Sequence, residues 1–142
     1  MTEKRRFEFL DITTADIAFA AYGHDLKEMF FNSAVALFEV MIDTSGIRPD
    51  EKKEVEVEGH DMKSLMFNWL SELIFLSSSE HMMFSKFNVE IDEENMRLKA
   101  KCYGEQIDAK RHELRTEVKA VTYHKMEIKK NGQWRSQVIL DV

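Results

Sequence analysis

IAFAAYGHDLKEMFFNSAVALFEVM, residues 17–41, changes its hydrophobic period halfway along, and that change decides the fold. IAFAAYG, following Asp16, reads as a strand. From Asp25 the pattern switches: Leu26, Met29, Phe30, Ala34, Leu37, Phe38 and Met41 recur three and four residues apart, on one face of a helix. Asp25 followed by Glu28 supplies a capping box at its start. An apolar helical face beside a strand needs a sheet to cover.

Upstream, RRFEFL alternates Phe7 and Phe9 with charged neighbours, the period-two mark of a strand, and a polar stretch from Asp11 to Asp16 joins it to IAFAAYG. Downstream, Ser45, Gly46, Pro49 and Asp50 form a break, after which KKEVEVEG alternates Val55 and Val57 with charges. Asp61 then offers an N-cap for a second helix with Met62, Leu65, Met66, Trp69, Leu70, Leu73 and Leu76 on its apolar stripe. KFNVEID, a turn at Glu93-Glu94-Asn95 and a return with Met96, Leu98, Ala100 and Cys102 inside make a hairpin. TEVKAVTYHKMEI and WRSQVILDV make another across Asn131-Gly132. Without repeats or linkers, residues 1–142 read as one α+β domain: two amphipathic helices packed on a largely antiparallel β-sheet.

A chain of 142 residues buries about two thirds of its unfolded surface. Its 44% hydrophobic content marks a folded protein rather than a disordered one. Acidic residues outnumber basic ones 26 to 20, a net charge of -6, which repels a phosphate backbone unless the basic groups are segregated on one face. Stable direct nucleic-acid binding is therefore not expected, and a basic protein partner is easier to accommodate. No apolar run approaches the roughly 20 residues of a membrane span, since Asn68, Ser71 and Glu72 interrupt the best candidate. MTEKRRFEFL lacks a signal-peptide core, and the single Cys102 cannot form an intrachain disulfide. A reduced, cytoplasmic protein is the expectation, with Cys102 a buried inert thiol on its strand's apolar side.

The five glycines are scattered singly, so no phosphate-cradling loop exists. No nucleophile elbow and no cysteine pair for zinc is present. His24, His60 and His81 read as solvated turn residues, while His112 and His124 flank the most distinctive stretch of the chain. The carboxylates say more. Asp16 stands where a polar loop enters an apolar strand, and Asp141 follows the apolar VIL beside Val142. An unpaired charge in such a place is costly to bury. If the first and last strands are neighbours, Asp16, Asp141 and the carboxylate of Val142 converge and need a cation. Oxygen donors suit calcium, magnesium or manganese rather than zinc or copper. On spacing alone, a loop-ending Asp16 and a solvated Asp141 remain the plainer reading. Lys119 is exposed beside Val121 and Tyr123 in TEVKAVTYH, either to keep a strand from aggregating or to contact a phosphate or carboxylate.

TADIAFAAYG, LKEMFFNSAVALFEVMID, NWLSELIFL, GEQIDAKRHE, TEVKAVTYH and WRSQVILDV resemble, in order, the signature blocks of the archease family. The resemblance runs from about Phe7 to Val142. It implies a non-enzymatic cofactor of an RtcB-type tRNA-splicing RNA ligase, promoting the GTP-dependent guanylylation of that ligase and its repeated turnover. It also implies a divalent-metal site drawn from the TAD aspartate, the penultimate aspartate and the C-terminal residue, here Asp16, Asp141 and Val142, with calcium ranked ahead of magnesium and manganese. Many members read HTAD where this chain has Thr13 and Thr14 in TTAD, so no role for that histidine carries over. The intact EVKAVTYH block makes Lys119 the candidate for ligase contact. Two rival readings rank below the activator. A general chaperone would use an exposed apolar patch, and a metal-dependent hydrolase would work from carboxylates that lack an evident general base.

Overall fold

The computed structural model describes residues 6–142; Met1 to Arg5, including the first arginine of the RRFEFL strand, lie outside the described residues. Strand β1 (Phe7–Leu10) is followed by β2 (Ile17–Gly23), helix α1 (Leu26–Met41), β3 (Glu51–Glu58), α2 (Met62–Glu80), β4 (Met82–Asp92), β5 (Arg97–Gln106), β6 (Ala120–Asn131) and β7 (Gln133–Asp141). The strands form two antiparallel sheets, ordered β1-β2-β7-β6 and β3-β5-β4. Each helix packs against strands of both sheets, and the buried side chains of all these elements form one apolar cluster.

Both helix starts follow from their caps. The Glu28 N–H donates to Asp25 at 2.8 Å, and Glu28 reaches back to the His24 N–H at 3.1 Å, one residue before the expected reciprocal partner. In α2, Asp61 accepts from the Ser64 N–H at 2.8 Å while the Ser64 hydroxyl accepts from the Asp61 N–H, a closed capping box. His81 ends α2 in the left-handed conformation.

Helix α1 departs from a one-sided stripe. Asn32, Ser33, Ala36 and Val40 are buried as well as the expected residues, because the helix lies against both sheets. Helix α2 keeps a stripe of Leu65, Met66, Trp69, Leu70 and Leu73, and Trp69 ties it to α1 by an indole N–H donated to the Phe30 carbonyl at 3.1 Å. Burying a side chain such as Phe30 or Leu70 contributes roughly 1.5–3 kcal/mol.

The segment between β5 and β6 departs further from expectation. Regular pairing begins only at Ala120, and the preceding residues satisfy the open carbonyls at the end of α1. The Arg115 N–H donates to the Met41 carbonyl at 2.9 Å, the Thr116 N–H to that of Val40 at 3.0 Å, and the Asp43 N–H to that of Glu113 at 2.9 Å. Val118 and Val121 are both buried while Ala120 is exposed, so the expected alternation through TEVKAVTYH is broken. Within β6 the pairing jumps from Thr122 opposite Ile139 to Glu127 opposite Gln137. The chain bulges over Tyr123 to Met126, with Lys125 at φ 53°.

Candidate functional site

The β2 and β7 ladder ends with Ile17 opposite Leu140. Asp16 is the residue before Ile17 and Asp141 the residue after Leu140, so the antiparallel register sets the two aspartates side by side where the ladder stops. Both are half-buried. Among the described residues neither carboxylate has a hydrogen-bond or ion-pair partner. Two adjacent carboxylates without a protein cation between them repel each other, and a divalent cation is the natural counter-charge. The apolar strands hold them there: Ala18, Phe19, Val138, Ile139 and Leu140 are all at most 1% exposed.

Asp141 has neighbours on both sides. It pairs with Ala120 of β6, and its carbonyl accepts the Lys119 N–H at 2.8 Å. Lys119 is therefore fixed through its backbone to the same strand end as Asp141 while its side chain is exposed. Val142 follows, half-buried. Asp16, Asp141, Val142 and the Lys119 backbone thus meet at one corner of the sheet. Thr13 and Thr14, of the TTAD sequence, lie in the bend that leads into Asp16.

The donor set has a limit. Among the described residues no three His, Cys, Asp or Glu side chains lie together as a metal-holding group. Two carboxylates are the acidic side-chain donors at this corner, and further protein ligands are main-chain or hydroxyl oxygens. Carboxylate and main-chain oxygens are hard donors, and that chemistry fits calcium, magnesium or manganese.

The histidines part company. His124 is exposed in the β6 bulge, and His24, His60 and His81 are exposed at helix ends. His112, read from sequence as part of a polar loop, is buried. Its Nδ1 accepts the Asp108 N–H at 2.9 Å, and its Nε2 lies 3.2 Å from Oε2 of Glu105, at an angle outside that of a good hydrogen bond. Glu105 also accepts from the Arg48 N–H and pairs with Arg111. Burial pushes the Glu105 carboxyl up, and the Arg48 N–H, His112 and Arg111 together outweigh it, leaving it below its ordinary value. This network pins the chain as it leaves β5, upstream of the residues that deliver Lys119. No pattern in GEQIDAKRHE distinguishes a buried histidine from a solvated one. Cys102 is buried, with its thiol pushed up to about 12 by burial, which makes it inert as expected.

Residues 7–142 match the model of the archease protein family. The chain is 48% identical over 130 residues to an archease of Sulfurisphaera tokodaii, covering 92% of this chain and 93% of that one. It is 49% identical over 139 residues to an archease of Methanothermobacter thermautotrophicus, covering 96% and 98%. The solution structure of Methanobacterium thermoautotrophicum protein 1598 superimposes with a TM-score of 0.84 at 48% identity, covering 96% of this chain and 99% of that one. A match over nearly the whole length, in sequence and in fold, shows that this chain belongs to the archease family.

Proposed function

We propose that this protein is a non-enzymatic activator of an RtcB-type tRNA-splicing RNA ligase, promoting its GTP-dependent guanylylation and multiple turnover through a divalent-cation site at Asp16, Asp141 and Val142. The observation that carries the reading is the register of β2 and β7, which sets two unpartnered aspartates beside each other with Lys119 tied to the same corner. Family membership supports the choice of partner.

In this reading Asp16 and Asp141 hold the cation with their carboxylates, and a main-chain oxygen of Val142 completes the protein donors. Calcium is the first candidate, with magnesium and manganese as alternatives. The bound cation supplies positive charge for phosphate or carboxylate oxygens. Lys119, held by its backbone at the same strand end and exposed, offers a second cationic group to the partner. Positioning and electrostatic stabilisation account for most of phosphoryl-transfer catalysis, so a small accessory protein can accelerate the reaction of another without reacting itself. The net charge of -6 favours encounter with a basic RNA-handling partner.

The test is multiple-turnover RNA ligation and guanylylation by the cognate ligase with GTP, with catalytic amounts of this protein. Wild type stimulates turnover, and Asp16→Ala and Asp141→Ala do not, although both fold. Lys119→Ala lowers the guanylylation rate about ten-fold or more, the loss of one well-placed charged contact to a transition state. Absence of stimulation by folded, metal-loaded wild type removes the activator reading, and suppression of aggregation of unrelated proteins then becomes the activity to measure.

A further inference from the structure

The outer face of the β3-β5-β4 sheet is charged throughout, but its charge is not evenly mixed. Strand β5 is central and turns Arg97, Lys99, Lys101 and Tyr103 outward, while Leu98, Ala100, Cys102 and Gly104 face the core. The register gives each outward residue two flanking partners. Arg97 lies between Glu58 and Asp92, and Lys99 lies between Glu56 and Glu90. Lys101 lies between Glu54 and Asn88, and Tyr103 lies between Lys52 and Lys86. Counting formal charges, the rows run from one net negative at Arg97 and at Lys99, through neutral at Lys101, to two net positive at Tyr103.

Past Tyr103 the next outward residue of β5 is Glu105, whose carboxylate is paired with Arg111 and accepts the Arg48 N–H. This end of the face is therefore a basic island on an acidic protein. Lys52 is 49% exposed, and Lys86 and Lys101 are exposed. Lys86 takes no acidic partner among the described residues; its ammonium instead stands 5.5 Å from the centroid of the half-buried Tyr103 ring. The depression of about 420 Å³ farther along the face is lined by Glu54, Glu56 and Glu90 together with Lys99 and Lys101, three carboxylates against two ammonium groups, so the Tyr103 row is the more favourable place for an anion and Lys101 stands between the two. Glu54 sits 3.8 Å from Lys52, and Asp50 and Glu51 precede that lysine in the chain, so the attraction is local and moderate.

Cations spaced around one aromatic ring on an open sheet match the backbone and one unstacked base of a single strand. An acidic protein surface would use the lysines as well; a flat ring among them adds the stacking platform that a base requires. We propose that the Tyr103 end of this sheet binds single-stranded RNA, with Lys52, Lys86 and Lys101 on its phosphates and Tyr103 against a base. This is the segregation of basic groups that the overall charge of -6 leaves as the one route to a phosphate backbone.

The experiment is fluorescence anisotropy of a labelled oligouridylate titrated with the full chain at about 150 mM salt, where non-specific binding falls near 1–100 μM. Three phosphate contacts give a slope of log affinity against log salt of about -2. The Lys52→Glu, Lys86→Glu double variant binds at least ten-fold more weakly, and Tyr103→Ala loses affinity for the RNA but not for polyglutamate. Thermal melting checks that the variants at exposed Lys52 and Lys86 and at half-buried Tyr103 keep the fold. Wild type that binds no RNA overturns the proposal, as does equal binding by the double variant. Polyglutamate that competes as well as RNA, with Tyr103→Ala indifferent, overturns it in favour of an acidic protein partner.

Discussion

Asp61 carries a charge whose value depends on one neighbour. The Ser64 N–H, and after it the Ser64 hydroxyl, hold its carboxyl below the ordinary carboxylate range. A depressed folded value means that the unfolded chain binds the extra proton, so this contribution is complete above about pH 3.9 and is lost as pH falls through the folded value. Asn caps a helix nearly as well and does not titrate. Urea midpoints measured from pH 2 to 6 should therefore fall less steeply in acid for Asp61→Asn than for wild type, and parallel curves would contradict the assignment. A second prediction at this scale concerns the indole of Trp69. Trp69→Phe removes the indole donor from the Phe30 carbonyl, which keeps its helical partner, and denaturant unfolding should show a loss of about 1 kcal/mol.

At the scale of elements, close approach and irregular pairing decide where side chains go. A Cβ on Gly104 would collide with the Met83 carbonyl where β4 passes its irregularity between Phe84 and Lys86. Gly104→Ala should cost about 2–3 kcal/mol in unfolding free energy, and a neutral result would mean that this strand crossing is looser than described. The β6 bulge is fastened from outside by the Tyr123 ring, stacked on Phe67 of α2 with centroids 4.2 Å apart, and by the Gln137 side-chain amide donated to the Lys125 carbonyl at 2.8 Å. Tyr123→Ala should lower stability by about 1 kcal/mol. The helices and most strands were legible because their apolar residues keep a fixed period: Leu26 through Met41 and Leu65 through Leu73 are buried where the pattern puts them. The stretch from Arg115 to Met126 was not legible in the same way. Its backbone partners are the end of α1 and the end of β7, and local alternation carries no record of either.

At the scale of the molecule, the strand order joins residues that are far apart in sequence. Asp16 and Asp141 lie near opposite ends of the chain, and only the pairing of β2 with β7 makes them neighbours. Sequence reasoning reached that pair conditionally, on the premise that the first and last strands adjoin; β2, the second strand, is the one that pairs with β7. The burial of His112 and the polarised face around Tyr103 depend on packing and register that no short motif states. Because the aspartates stand at the ends of buried strands, replacing one carboxylate removes charge without removing core, so function and folding separate cleanly in the variants. The most direct measurement is calorimetric titration of the metal-free protein with calcium chloride, with magnesium and manganese in parallel. One divalent-cation site is expected in wild type, with at least ten-fold weaker binding in Asp16→Ala and in Asp141→Ala, each with an unchanged circular dichroism spectrum. Undiminished binding in either variant, or none of the three cations binding to wild type, would contradict the account.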